Sequence, residues 1–135
     1  MDPQSIQKAR DSLSRCGKDS SFLDRFYEHF MASSEDIRTK FEQTDFERQK
    51  KVLSDSLFLM LAAAGTTQGF AHVQLEKLAK RHCRTELDIK PEWYDLWLDT
   101  LLKTVAEFDP AYSSEIDAAW RASVKDGIEI LIAGY

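Results

Sequence analysis

The segment Leu75-Glu76-Lys77-Leu78-Ala79-Lys80-Arg81-His82-Cys83 decides the fold class of this chain. Leu75, Leu78 and His82 recur at spacings of three and four residues, so on a helix they share one face. The charged residues of the segment fall largely on the other faces. The pattern therefore predicts an amphipathic helix that turns a histidine towards an apolar interior.

A buried imidazole needs a partner for its ring nitrogens, which can be a carbonyl, a carboxylate, a water molecule or a metal. Taken alone, one histidine on an apolar helical face is most often a core residue with a satisfied hydrogen bond. Cys83 follows His82 directly, but neighbouring helical residues point about 100° apart, so a joint metal site is not expected. Cys16 and Cys83 also form neither a disulfide framework nor a metal-spaced pair.

The composition fits one globular domain spanning residues 1–135, with 43% hydrophobic and 30% charged residues. A net charge of -5 argues against a general nucleic-acid-binding protein, which needs clustered basic residues. No apolar run approaches the roughly 20 residues that span a bilayer. The N-terminus lacks a basic stretch followed by an apolar one, so we expect a cytoplasmic protein with reduced cysteines.

Apolar residues recur at helical spacing through almost the whole chain, and no stretch alternates as a β-strand would. The longest helix is expected to end near Ala64, before Gly65. The second helix has an unusually aromatic face. Helix starts are predicted by cap residues at Asp2-Pro3, at Ser21 with Asp24, and at Thr44 with Glu47. The sequence therefore predicts an all-α protein of about seven helices.

Several short motifs follow one another along these predicted helices. They are Phe26-Tyr27 in the second helix, Phe41 after a short third helix, Gln49 and Leu53 in the long helix, Leu78-Ala79-Lys80-Arg81-His82, Lys90-Pro91-Glu92-Trp93-Tyr94, and Ala119-Trp120 in the last helix. No single motif is specific for a protein family, but their order and spacing together are much more specific. In this order the chain resembles the globin family, most closely the bacterial single-domain globins and the globin domain of flavohaemoglobins.

The resemblance implies a globin fold of the 3-over-3 type around a pocket for haem b, iron protoporphyrin IX. It implies that His82 binds the iron and that Tyr94 helps to orient the histidine. On the opposite side of the haem it places Tyr27, Gln49 and Leu53, where the two polar side chains would donate hydrogen bonds to a bound gas. Phe41, Leu53 and Leu78 would pack on the porphyrin.

The function implied by this resemblance is reversible binding of dioxygen, nitric oxide or carbon monoxide, for oxygen transport or nitric-oxide detoxification. Oxidation of nitric oxide to nitrate would need electrons from a separate reductase, because flavohaemoglobins carry their reductase domain after the globin. The glutamate of the last helix in that family has no counterpart in the segment 130–135.

Two alternatives stay open. The chain could be a gas or redox sensor that acts through a signalling partner, or a globin-like domain without haem. The apolar strip Ile128, Ile132 and Tyr135 predicts either a dimer contact or a tail packed on the core, so both a monomer and a homodimer fit. The chain lacks a glycine-rich phosphate loop, a GxSxG elbow and an HExxH motif, which argues against the common hydrolase and nucleotide-binding classes.

Overall fold

Seven helices make up the computed structural model, which describes residues 2–135. They are α1 (Pro3–Cys16), α2 (Phe22–Ser33), α3 (Glu35–Lys40), α4 (Phe46–Ala63), α5 (Phe70–His82), α6 (Trp93–Phe108) and α7 (Ser114–Ala133). The described residues contain no β-strand. The prediction of an all-α protein with about seven helices is therefore confirmed.

Helix α7 is the central packing partner of the fold, because it contacts α1, α4, α5 and α6. Helix α2 packs mainly on α6, and α4 packs on α5. Helix α7 approaches α4 closely at Gly127, where an added Cβ atom would stand 2.6 Å from Cγ of Met60. Only a residue without a side chain allows α7 and α4 to meet at this distance.

The helix starts show which of the predicted caps are correct. The Asp2 carboxylate accepts a hydrogen bond from the backbone N–H of Gln4, as predicted for the start of α1. The cap predicted at Thr44 is wrong by one residue: the carboxylate of Asp45 accepts from the N–H groups of Glu47 and Arg48. A carboxylate at this position satisfies two free donors and also favours the positive end of the helix.

Two further helix starts differ from what the sequence predicts, namely the cap at Ser21 and a start at Pro91, a residue typical of a first helical turn. Ser21 makes no side-chain cap for α2, and Asp19 instead accepts a hydrogen bond from the backbone N–H of Ser21. Helix α6 begins at Trp93 rather than at Pro91, because the segment 90–94 first forms a tight turn with hydrogen bonds from Trp93 to Lys90 and from Tyr94 to Pro91.

A buried polar network joins α1 to the corner between α6 and α7. Arg15 donates two hydrogen bonds to the carboxylate of Asp109, at 2.6 and 3.0 Å. Ser12 also donates to Asp109, at 2.6 Å, and the indole N–H of Trp120 donates to Ser12 at 2.9 Å. This network lies in the α1–α6–α7 part of the fold, and none of its four residues lines the cavity described below.

No helix in residues 2–135 combines the length and the apolar character that crossing a membrane requires.

Candidate functional site

A cavity of about 380 Å³ opens between α2, α4, α5 and α6. Its volume lies within the range of pockets that hold small molecules and cofactors. All seven residues that the sequence analysis proposed as site residues line this one cavity: Tyr27, Phe41, Gln49, Leu53, Leu78, His82 and Tyr94.

His82 is the last residue of α5, and its ring is partly buried in the cavity wall. Its Nδ1 atom lies 3.1 Å from the hydroxyl oxygen of Tyr94, and the two atoms share a hydrogen bond. Burial, aided by the positive charge of Arg81, lowers the pKa of His82 to about 4, so its imidazole is neutral at neutral pH. When Nδ1 carries the ring proton, its N–H donates the hydrogen bond to the Tyr94 hydroxyl. Nε2 then keeps the lone pair that a metal needs.

The ligand set around His82 bears on which metal could bind there. Among residues 2–135 no group of three His, Cys, Asp or Glu side chains is placed to hold a metal ion. The Cys83 thiol is instead hydrogen-bonded to Thr85 at 3.3 Å. A lone imidazole does not hold a free metal ion tightly, but it suffices for haem, because the porphyrin itself would supply further nitrogen ligands to the iron. The residues at the site therefore fit haem better than a bare metal ion.

Tyr27 lies on α2, and only 4% of its surface is exposed. Its hydroxyl donates a long hydrogen bond of 3.4 Å to the backbone carbonyl of Gln49. Burial raises the pKa of Tyr27 to about 12, so the phenol keeps its proton and stays a donor. The Gln49 side chain is half-buried on the first turns of α4, and its amide has no hydrogen-bond partner among the described residues.

An aromatic cluster holds Tyr27 in place. The ring of Tyr27 lies 5.1 Å from Phe26, 5.8 Å from Phe41 and 5.4 Å from Phe46, measured between centroids, with edge-to-face geometry. Such pairs stabilise a core beyond the burial of their area. The cluster fixes the direction of the phenol and surrounds it with apolar side chains.

The cavity lining also includes side chains that were not proposed as site residues, among them Trp97, Met60 and Leu131. Spacing could have identified Trp97, because it follows Tyr94 by three residues and therefore shares its helical face. Leu131 belongs to the last helix, whose contribution to the cavity depends on how α7 crosses α5 and could not be read from spacing.

The other two histidines are held away from the cavity. His29 is hydrogen-bonded to Glu107 between α2 and α6. His72 lies near the start of α5, where its Nε2 atom is 2.9 Å from the backbone oxygen of Thr66. Neither residue lines the cavity, which leaves His82 as its histidine.

Basic residues surround part of the cavity. Arg48, Arg81 and Lys40 all belong to its lining, and none of the three forms an ion pair with a carboxylate in the described part of the chain. By contrast, Lys50 points to the surface and pairs with Asp24 and Glu47, each at 2.9 Å. Asp45 also belongs to the lining, but the three basic residues outnumber it, so the cavity edge is positively charged although the whole chain carries a net charge of -5.

Comparison with known proteins gives the family. The family model described as Globin matches residues 24–128. Among solved structures, the protein PA3967 from Pseudomonas aeruginosa PAO1, described as structurally highly homologous to a human hemoglobin, aligns with a TM-score of 0.91. The two sequences are 39% identical over 97% of this chain and 98% of that chain. No curated protein matches the sequence. The chain therefore belongs to the globin family, and the globin fold expected from its motifs is confirmed.

Proposed function

We propose that this globin holds haem b through His82 and reversibly binds diatomic gases: dioxygen, nitric oxide and carbon monoxide. The observation that carries the proposal is the placement of His82 and of the pair Tyr27 and Gln49 on the wall of one largely apolar cavity. Haem supplies an iron with one free coordination position for a gas. The protein supplies the axial imidazole, the hydrogen-bond donors and the exclusion of water.

The charge at the cavity edge also suits this cofactor. Haem b carries two propionate groups, which are anionic at neutral pH. Arg48 and Arg81 line the cavity, are largely exposed and have no carboxylate partner among residues 2–135. Guanidinium groups bind carboxylates well because they offer paired donors. We therefore expect these two arginines to lie close to the propionates.

The donors opposite His82 determine how strongly a gas is held. To turn towards a ligand in the cavity, the phenol of Tyr27 has to break only its long hydrogen bond to the Gln49 carbonyl. The amide of Gln49 can add a second donor. A hydrogen bond to a partly charged acceptor contributes roughly 1–3 kcal/mol, and dioxygen held by a ferrous haem would be such an acceptor. Compared with a pocket that has no donors, we therefore expect the affinity for dioxygen to be raised more than the affinity for carbon monoxide.

The apolar strip on the last helix does not favour the sensor alternative. Ile128 is partly buried and packs against the core, and Tyr135 is partly buried and hydrogen-bonded to Asp88. Ile132 alone is exposed, at 39%. The strip is thus a tail packed on the fold rather than an open apolar surface for a partner. A role in nitric-oxide oxidation with a separate reductase stays a branch of the gas-binding proposal.

The test is the absorption spectrum of the chain supplied with haemin, taken in the ferric form, after reduction and after addition of carbon monoxide. We expect the wild type to retain pigment through gel filtration and His82→Ala to lose most of it. His72→Ala, which removes a histidine from the same helix but outside the cavity, is the matched control and should retain pigment like the wild type. Added imidazole should partly restore the spectrum of His82→Ala, since it can enter the space left by the side chain. Equal pigment retention by His82→Ala and His72→Ala would contradict the proposal.

A further inference from the structure

We propose that Lys40 is a positioning residue that slows the loss of haem; this inference rests on the proposed function. Its side chain bridges the two sides of the cavity entrance, or mouth, and we call this bridge the strap. Lys40 ends α3, on the side of the cavity that carries Phe41 and Tyr27. Its ammonium group donates a hydrogen bond of 2.9 Å to the backbone carbonyl of Leu87, which lies 47 residues further along the chain, in the loop after His82. The contact therefore joins the two sides between which haem would slide.

A second contact holds the ammonium group of Lys40 at the cavity entrance. The nitrogen of Lys40 lies 5.9 Å from the ring centroid of Trp93, at the start of α6. Attraction between a cation and an aromatic face is significant at this distance. Lys40, Leu87 and Trp93 all line the cavity. The lysine side chain is thus a bridge at the cavity edge and not a freely solvated surface chain.

The far end of the bridge is linked directly to His82. The N–H of Leu87 donates to the carbonyl of Arg81 at 3.1 Å, and the N–H of Ile89 donates to the carbonyl of His82 at 2.9 Å. Movement of the loop at Leu87 must therefore break bonds to the last turn of α5. A strap that holds Leu87 in place also holds the residue that would bind the iron.

The outer side of the same loop is fixed by a different element. The phenol of Tyr135 donates to the carboxylate of Asp88, and the Arg84 guanidinium lies 5.0 Å from the Tyr135 ring centroid. These contacts anchor the loop to the end of α7. The edge that faces the cavity carries Leu87, which is 51% exposed, and Lys40 is the residue from the opposite side of the mouth that bonds to it.

The experiment measures transfer of haemin from the protein to an excess of a haem-scavenging protein, followed by absorbance. Lys40→Met keeps the length of the side chain and removes the donor and the charge. We expect it to speed haemin loss about three- to tenfold, because the charge-assisted hydrogen bond is exposed and solvent screening reduces its contribution. Lys40→Arg keeps donor and charge and should stay near the wild-type rate. Lys103→Met, an exposed lysine of α6 without an ion pair in residues 2–135, is the matched control and should also leave the rate unchanged.

A repeat with haemin dimethyl ester separates the strap from simple pairing of Lys40 with a propionate. The ester has no propionate charge, so a strap predicts that Lys40→Met still speeds its loss. An effect confined to free haemin would overturn the strap, because Lys40 would then act on the cofactor and not across the mouth. A rate unchanged by Lys40→Met would also overturn it while leaving the proposed function intact. A wild-type chain that never holds haemin would instead overturn the proposed function, and the strap with it.

Discussion

Tyr27 has two possible partners for one hydroxyl proton, and the balance between them sets its role. Its bond to the Gln49 carbonyl is 3.4 Å long, which is beyond the usual range for an O–H donor. The cost of breaking this bond is therefore small. A ligand in the cavity that carries partial negative charge is a better acceptor than the distant carbonyl. Binding of dioxygen should thus draw the phenol away from Gln49.

Replacing Tyr27 by Phe should speed the release of dioxygen by about five- to a hundredfold, since one hydrogen bond to a charged acceptor contributes roughly 1–3 kcal/mol. The free energy of unfolding should hardly change, because the bond that is lost is long and the aromatic cluster is kept. Stopped-flow measurement of the dioxygen off-rate tests this. Tyr112→Phe, which removes a surface hydroxyl bonded to Asp117, is the control. An off-rate that is the same in both variants would exclude Tyr27 as the donor.

Periodicity together with the resemblance to globins could identify the cavity residues but not all of their partners. Helical periodicity placed Leu78 and His82 on one face, and the resemblance implied Tyr27 and Gln49 on the other side of the pocket. The bond from Tyr27 to a backbone carbonyl, and the reach of Lys40 to Leu87, carry no local signal. Both depend on how distant helices meet, so only the folded chain reveals them.

Helix boundaries were predictable to within a few residues because caps and periodicity are local. The error at Thr44 shows the limit of that reasoning, since Thr44 and Asp45 could both serve as the cap. In the structure it is the carboxylate of Asp45 that accepts the hydrogen bonds. The polar network that joins α1 to the α6–α7 corner, here called the joint, could not be predicted from the sequence. Ser12 and Arg15 are 97 and 94 residues from Asp109, and nothing in either segment indicates the other.

Replacing Asp109 by Asn should test how much this joint stabilises the fold. Burial alone would raise the pKa of Asp109, but the hydrogen bonds from Arg15 and Ser12 outweigh it and lower the pKa to about 2. A folded-state pKa below the unfolded value means stability that is present above about pH 4 and is lost as the pH falls towards 2. We expect Asp109→Asn to lower the free energy of unfolding at pH 7 by about 2–3 kcal/mol, because Arg15 loses its partner.

Urea unfolding of the wild type and Asp109→Asn across this pH range is the measurement. The gap between the two curves should be constant from pH 7 to pH 5 and should shrink between pH 4 and pH 2. Asp117→Asn, in a partly exposed pair with Arg121 on α7, is the control and should change stability by less than about 1 kcal/mol. A gap that does not depend on pH would contradict the role assigned to the Asp109 carboxylate.

The molecule as a whole divides into a packed region and a region built around the cavity. The packed region comprises α1 and the parts of α6 and α7 that meet at Ser12, Asp109 and Trp120. The other region comprises the start of α4, the end of α5 and the loop to α6, whose inner faces line the cavity. Side chains around a cavity lack contacts on one side, so we expect this region to be the less stable of the two until a ligand supplies those contacts.

Haem binding should therefore stabilise the two regions unequally, and hydrogen exchange followed by mass spectrometry can measure the difference. We expect amide exchange to slow most in the segments 44–53 and 78–94 when haemin is added to the apoprotein, because these residues line the cavity. Exchange in residues 3–16 should slow only as far as global stability rises, since a ligand bound to the native state stabilises the whole fold by mass action. In His82→Ala the local slowing in residues 78–94 should largely disappear. Uniform slowing along the chain would show instead that the apoprotein already has the cavity region fully formed, so that binding adds nothing local to it.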